Sequence, residues 1–321
     1  MNSHPTIVVI GQLTLDDVVR FDQPALLDSP GGSGLYALAG VSLWETGPLG
    51  FITRLGDDYH LEHVFQGLKD RLDLQGVKRL PVPSIHIWNM FDRKGNRYFV
   101  TQRWGSYDDA MGIYPEDIPS AYRDSQSFLV AAFPFDWQLR VIEALPAEKL
   151  IAVDPHFQGV YPQYRERWYE LLKKINVFLP SEEELLRFFS IQRETALERY
   201  LPYLKELSAH GPEVVCVKLG ERGILVYDRS VEMSWHVPAC TAEKVVDVTG
   251  CGDAFCGGFI ASYVRDRNAL TAAMHGVVSA SFNLEDYGVL HNFSIRSERV
   301  KERFNAFSST LRQNTQTLQG L

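Results

Sequence analysis

Residues 245–264 read VVDVTGCGDAFCGGFIASYV, and the rest of the chain is best read outward from them. Two carboxylates, Asp247 and Asp253, bracket a Gly250-Cys251-Gly252 turn, and a run of small and apolar residues follows at once. Glycine adopts backbone angles that other residues resist, so Gly250 and Gly252 are expected to turn the chain into a helix. Such a turn aims several N–H groups in one direction, and together with the helix dipole they make an anion site. Asp253 stands at its mouth. Two readings compete there. Asp253 is a cap on a helix preceded by glycine, or it is a general base that takes a proton from a hydroxyl while the amides hold the group under attack. The spacing D-x-T-G-x-G-D favours the second, and that combination points to phosphoryl transfer to an alcohol.

The surroundings of this stretch alternate between strand and helix. TIVVIGQL (6–13) is a β-branched run ending near glycine, expected as the first buried strand of a parallel sheet. GGSGLYALAGVSLWETG (31–47) reads as a glycine turn opening a helix, and LGFITRLGDD (49–58) as the next strand with its exit loop. HLEHVFQGLKDRLD (60–73) has helical spacing. SFLVAAF, LIAVDP, INVFLP and EVVCVKLG are four further short apolar runs, with helical segments between them. Asp136 and Ser181 are expected to cap the helices of DWQLRVIEAL and SEEELLRFF. This is the pattern of a doubly wound, mainly parallel α/β sheet, whose ligands bind beyond the carboxyl ends of the strands. The residues to watch are therefore Asp16, Asp154, Ser181, Lys218 and the 247–253 loop. One segment breaks the alternation. SIHIWNMFDRKGNRYFVTQR (84–103) is rich in aromatic and β-branched residues around a tight turn, and reads as an inserted β-hairpin forming a flap or small second sheet. Its rings, with Trp104, are expected to pack the lid on its own body or on a partner, or to form a ring-binding wall.

Composition excludes several classes of function. The chain has 321 residues, 45% hydrophobic and 22% charged, which is ordinary for a globular fold with a full core. A net charge of −8 without a long basic run argues against general nucleic-acid binding and against an anionic membrane surface. No eighteen-residue apolar stretch predicts a membrane span. The opening MNSHPTIVVIG lacks a signal-peptide pattern, so a cytoplasmic protein with reduced thiols is expected. Cys216, Cys240, Cys251 and Cys256 have no zinc or C-x-x-C spacing and read as packing residues. Cys251 stands at a helix N-terminus, where thiol pKa values can fall, so oxidation sensitivity is the alternative reading there beside packing. His60 and His63 read as solvated side chains. No Walker A motif and no dinucleotide fingerprint occurs, so the glycine turn itself must be the anion site.

DVTGCGDAF resembles the D-T-x-G-A-G-D signature of the ribokinase-like (PfkB) family of sugar and nucleoside kinases, with Cys251 where alanine is usual. GQLTLDD (11–17), PGGSGLYALAG (30–40), FITRLGDD (51–58), the 84–103 hairpin, FLPSEEEL (178–185) and VKLGERGILVYD (217–228) resemble the family's remaining segments in the right order. The resemblance spans most of the chain. It implies a ribokinase-like kinase domain over 1–305, with lid strands inserted at about 13–30 and 84–105, and a C-terminal tail over 306–321. It implies Asp253 as catalytic base, with the amides of Gly250, Cys251 and Gly252 as anion hole. Asp16, Gly31, Gly32, Tyr36 and Arg103 would face substrate. Lys218, Gly220, Gly223 and Thr249 would face ATP, and Glu184 would organise Mg2+ through water. In some relatives Asp247 and Thr249 line a monovalent-cation site.

Three positions depart from the family pattern. Tyr36 replaces a sugar-binding asparagine, Ser181 replaces the asparagine of N-x-x-E, and Val277 stands where histidine or asparagine is common near adenine. The expected activity is ATP-dependent transfer of a phosphoryl group to a hydroxymethyl group of a sugar or sugar derivative. A nucleoside kinase of the same fold, which Tyr36 and the aromatic lid favour, and a non-catalytic kinase-like binding protein are the alternatives. A lid of this kind closes on its own body or on a twin subunit.

Overall fold

The computed structural model describes residues 4–21, 23–93, 97–101 and 109–314. Its strands are β1 (Ile7–Ile10), β2 (Thr14–Arg20), β3 (Leu26–Gly31), β4 (Leu49–Leu55), β5 (Leu72–Arg79), β6 (His86–Phe91), β7 (Arg97–Thr101), β8 (Ser127–Val130), β9 (Leu150–Val153), β10 (Val177–Phe178), β11 (Val214–Lys218), β12 (Ile224–Asp228) and β13 (Met233–Val237). Nine of them form one sheet in the order β13-β12-β11-β10-β9-β8-β1-β4-β5. From β5 to β11 every neighbour is parallel, and only β12 and β13 run antiparallel at one edge. The short runs IVVI, SFLV and LIAV are wholly buried because helices cover both faces.

The helices are α1 (Ser33–Ser42), α2 (Leu61–Val64), α3 (Phe135–Ala144), α4 (Arg165–Leu172), α5 (Glu182–Phe189), α6 (Leu201–Ala209), α7 (Cys251–Asp266), α8 (Ala269–Asn283) and α9 (Ser297–Asn314). One core joins the sheet to α1, α7, α8 and α9, and the other joins it to α3, α4, α5 and α6. This is the doubly wound arrangement. Strand order turns back at β1, which lies between β4 and β8, so the crevice for a ligand opens beyond Ile10 and Val130. Small residues fix where α7 begins. A methyl on Gly40 would fall 2.1 Å from the Ala254 carbonyl oxygen, and one on Gly257 would fall 2.0 Å from that of Ala37. Helices α1 and α7 thus touch backbone to backbone, which sets the start of α7 over the same crevice.

The second sheet has the order β3-β2-β6-β7, with β2 and β6 parallel and the outer pairs antiparallel. It is built from the segments read as lid. Side chains alternate between its faces, so Asp16, Ile87 and Asn89 look toward the crevice. Val19, Trp88 and Tyr98 are exposed apolar residues on this sheet. The turn residues 94–96, Arg103 and Trp104 lie outside the described residues.

Three expectations need correction. Residues 60–73 are not one helix: after α2 and a single 3-10 turn, Leu72 opens the edge strand β5, which has one side toward solvent and so lacks a long apolar run. Helix α3 starts at Phe135 after Pro134, so Asp136 lies in its first turn instead of capping it. Helix α9 carries the chain past 306, because Phe304, Phe307 and Leu311 recur at helical spacing inside polar sequence and pack on the core.

Candidate active site

The chemistry-bearing residues converge where strands end. Gln12 and Thr14 follow β1, Ala132 follows β8, and His156 and Phe157 follow β9. With Asp16, Tyr36, Ile87, Asn89, Phe99, Glu183, Arg187, Thr249, Gly250 and Asp253 they line a cavity of about 680 Å³, in the size range of small-molecule sites. Asp16 and Asp253 therefore face the same space from the lid side and the helix side. A second cavity of about 350 Å³ is lined by Ser181, Glu182, Glu183, Arg193, Lys218, Gly220 and Arg222, among others. Glu183 lines both, so it stands where they adjoin.

Gly250 is the N-cap of α7 and has φ +73° and ψ 3°, in the left-handed region. The first intrahelical bond runs from the Ala254 N–H to the Gly250 carbonyl at 2.9 Å. The amides of Cys251, Gly252 and Asp253 thus precede the helical ladder. That of Cys251 reaches the Val248 carbonyl at a long 3.4 Å. Gly252 does not have the special backbone angle expected of it: its φ is not positive, and a methyl there would meet only the Lys218 side chain at 3.6–3.8 Å. Its lack of a side chain leaves room in front of the amides. Gly250 is more constrained, since a methyl there would fall 2.1 Å from ring atoms of Tyr36. The loop behind is tied down as well. Asp247 Oδ1 accepts the Thr249 N–H at 3.0 Å and its hydroxyl at 2.9 Å, and the Thr249 carbonyl accepts from Asn283 Nδ2 at 2.7 Å.

On the lid side of the large cavity, Asp16 is buried on β2 and its Oδ1 accepts from the Thr14 hydroxyl at 2.6 Å. Gly31 lets β3 close on this carboxylate, because a methyl there would lie 2.3 Å from Asp16 Oδ2. Gly32, with φ +100°, caps α1 against the Gln12 carbonyl. Tyr36 is buried on α1, and its hydroxyl is pushed well above the ordinary tyrosine range by burial and then by Asp16, Asp247 and Asp253. It is a neutral donor and acceptor at any working pH. His156 is lowered to about 4 by burial and is also neutral.

On the other side, Lys218 ends β11 and its Nζ donates to Asp154 Oδ2 at 2.6 Å, with Cys256 Sγ at 3.3 Å from the same oxygen. Burial would strip the lysine of its proton, but Asp154, Cys256 and Glu184 more than offset this and hold it charged. Glu184 and Ser181 form a reciprocal capping box at the start of α5. The Glu184 carboxyl is pushed up to about 7 by burial and by Asp154, against the opposing pull of Lys218 and the Ser181 hydrogen bonds. Gly220 (φ +63°) and Gly223 (φ +87°) shape the turn between β11 and β12. Glu182, unforeseen in the sequence, is buried and pairs with Arg193 at 3.0 Å, with Arg222, and with the Tyr200 hydroxyl at 2.6 Å. Val277 belongs to the buried core and lines neither cavity.

Cys251 departs from the oxidation-sensitive alternative. Burial, then Asp247 and Asp253, push its thiol up to about 12, although an Asn283 hydrogen bond pulls the other way. The helix N-terminus does not outweigh that upward push. His60 and His63 are exposed, as read. Among the described residues, the grouping with three possible metal ligands is Asp17, Asp28 and His86, on the lid sheet. Gln12, Thr14, Asn89, His156, Phe157, Glu183 and Arg187 of the large cavity were not foreseen, while Phe99 is one of the lid rings weighed as a ring-binding wall. The strand-end rule that singled out Asp154 would have reached His156 and Phe157 two and three residues further on.

A search of known proteins places this geometry in a family. A cytidine kinase of Thermococcus kodakarensis is 29% identical over 283 residues, covering 88% of this chain and 97% of the relative. A deoxyribokinase of Salmonella typhi is 25% identical over 318 residues, covering 94% and 98%. The solved structure of Arabidopsis thaliana ribokinase complexed with ribose and ATP shares the fold, with a TM-score of 0.72, 20% identity and coverage of 94% and 99%. The model of the pfkB family carbohydrate kinases matches residues 6–295, and the chain belongs to that family.

Proposed function

We propose that the protein transfers the γ-phosphoryl group of ATP to a hydroxymethyl group of a sugar or sugar derivative. One observation carries this reading: Asp253 sits among the first residues of α7, beside amides that precede the helical ladder, and opens into the same cavity as Asp16. In this scheme Asp16 orients the substrate through a hydroxyl. Asp253 takes the proton of the attacking hydroxymethyl group. The Gly252 amide, with its neighbours Gly250 and Cys251, holds the phosphoryl oxygens as charge develops. Lys218 and Gly220 line the 350 Å³ cavity and would face the nucleotide there, with Gly223 in the same turn, while Thr249 lines the large cavity and would meet the phosphate end. Closure of the lid sheet excludes water, which protects ATP from hydrolysis.

The acidic side of the site suits Mg2+. Glu184 is a half-buried carboxyl pushed up to about 7 by desolvation and by Asp154, and Glu183 lines both cavities. Glu184 would hold the ion through water, and Glu183 is placed to do the same. When bound with ATP the ion neutralises phosphate charge.

A nucleoside is the second acceptor class, and the cavity walls favour it. Tyr36, Phe99 and Phe157 present rings around a space larger than a free pentose needs. The similarity to a cytidine kinase supports the same reading. The exposed Val19, Trp88 and Tyr98 of the lid sheet support pairing of two copies through it.

The test is ADP release from Mg-ATP across pentoses, hexoses, polyols, sugar acids and nucleosides, with Asp253→Asn in parallel. The expected result is strong turnover on one class and a loss of about 10²–10⁴-fold in kcat in the variant, with ATP binding retained. Retained turnover in Asp253→Asn would sink the base assignment. Absence of turnover on the whole panel, with ATP bound, would leave the non-catalytic alternative.

A further inference from the structure

We infer that Arg20 is a built-in cation for the anion-hole loop, standing where a monovalent ion would otherwise be needed. The inference rests on the kinase reading above and assigns a positioning residue to that site. Arg20 is carried on the lid strand β2, yet its Nη2 reaches Asp247 Oδ1 at 2.5 Å, 227 positions along the chain. Asp247 is 2% exposed and the Arg20 side chain 18%. A carboxylate buried this deeply needs hydrogen-bond donors, and a cation is the strongest of them. The guanidinium lies over the Phe91 ring at 4.3 Å, on the lid, and the Tyr287 ring at 5.4 Å, on the body. Tyr287 is itself joined to the lid through its hydroxyl, 2.6 Å from Gln23 Oε1.

The oxygen that accepts from Arg20 is the one that fixes the Thr249 N–H and hydroxyl. A single charge pair thus sets the turn that delivers Gly250 and the amides behind it. The Asp247–Thr249 turn does not suit an additional cation. An ion there would place two positive charges against one carboxylate. The atoms left without a partner in this pair are Asp247 Oδ2 and Arg20 Nε, an acceptor and a donor that match each other in kind. Because Arg20 travels with β2, the pair also couples lid position to the order of the loop.

The experiment compares wild type, Arg20→Ala and Arg20→Lys in buffers containing K+ or tetramethylammonium. Melting temperature and affinity for a nonhydrolysable ATP analogue are read beside turnover. Wild type is expected to be indifferent to the ion on all three readouts. Arg20→Ala is expected to lose about 100-fold in kcat through a displaced hole, and to regain at least about tenfold with K+ or added guanidinium, which replace the missing charge. Its melting temperature should rise with K+ but not with tetramethylammonium, and Arg20→Lys should keep partial activity without added ion. A simple packing role would produce no ion-selective rescue. Ion dependence of wild type, or an Arg20→Ala protein that folds and ignores K+, overturns the inference. If Arg20→Ala does not fold, wild type and Arg20→Lys decide: K+ dependence in either overturns it. Failure of the kinase reading would show as absent turnover and analogue binding in wild type, while the melting response of Arg20→Ala to K+ still reports on the charge pair.

Discussion

Gly250→Ala separates backbone geometry from charge at the proposed anion hole. The substitution acts twice. At φ +73° an alanine occupies the left-handed region, which disfavours an L-residue by about 1–2 kcal/mol. The new methyl would also fall 2.1 Å from Cγ and Cδ1 of Tyr36, a buried ring that must shift to make room. Overpacking of that kind adds about 1–3 kcal/mol. The two together predict a loss of about 2–5 kcal/mol, measurable by urea unfolding and small enough to leave most domains folded. Any displaced amide should also lower kcat by about 10²–10³-fold.

The split between the two contributions is testable. In a Tyr36→Ala background the steric part vanishes, because the methyl enters the space that the ring left. Gly250→Ala should then weaken folding by about 1–2 kcal/mol only, giving a coupling of about 1–3 kcal/mol in the double-mutant cycle. Gly252→Ala is the contrast. Its methyl meets only a flexible lysine at ordinary distance and its φ is not positive, so stability should hold or rise slightly. Its kcat should still fall, because the methyl stands in front of the amides. Additive effects of Gly250→Ala and Tyr36→Ala, or equal loss of stability at positions 250 and 252, would refute the reasoning.

Two further outcomes follow from the buried titrations. Glu184 has a folded-state pKa of about 7, above the ordinary carboxyl value, so its protonated form favours folding and that contribution fades as pH rises toward and through 7. Mg-ATP favours the opposite form, so kcat/KM for Mg-ATP should fall on the acid side with an apparent pKa near 7. His156, lowered to about 4, does not titrate in that window, and an unchanged acid limb in Glu184→Gln would reject the assignment. Cys251, with its thiol pushed up to about 12, should resist peroxide at neutral pH. Rapid inactivation of wild type that Cys251→Ala abolishes would contradict this.

The sequence reading succeeded where one local pattern carries one meaning. Four short β-branched runs ending in Pro, Gly or Asp describe strands buried on both faces, and those strands are where they were expected. The Ser181–Glu184 box declares a helix start within four residues. It went astray where local pattern and tertiary context compete. LDLQGVKR looks like the end of a helix because β5 is an edge strand with solvent on one side. Cys251 looks activated because a helix N-terminus lowers thiol pKa, but burial beside two carboxylates is the larger effect. Gly252 looks like Gly250 in the sequence, and only the fold shows that one glycine is needed for its angle and the other for the space it leaves.

The residues that escaped are those whose role exists only across the chain. Arg20 sits in LDDVVR, an ordinary strand with one basic residue, and nothing local distinguishes it from a solvated arginine. Its significance comes from closing on a carboxylate 227 positions away, in a turn whose glycine was obvious from the start. The same applies to Glu183 and Arg187, which reach the large cavity only because β10 aims α5 at it. Local spacing therefore names the groups proposed here for the chemistry, because a glycine turn and its acid must be contiguous to work. The groups that hold them in place need only meet in space. A carboxylate buried at 2% exposure with Arg20 on one oxygen marks such a partner more sharply than any motif, because the nearby sequence supplies no cation of its own.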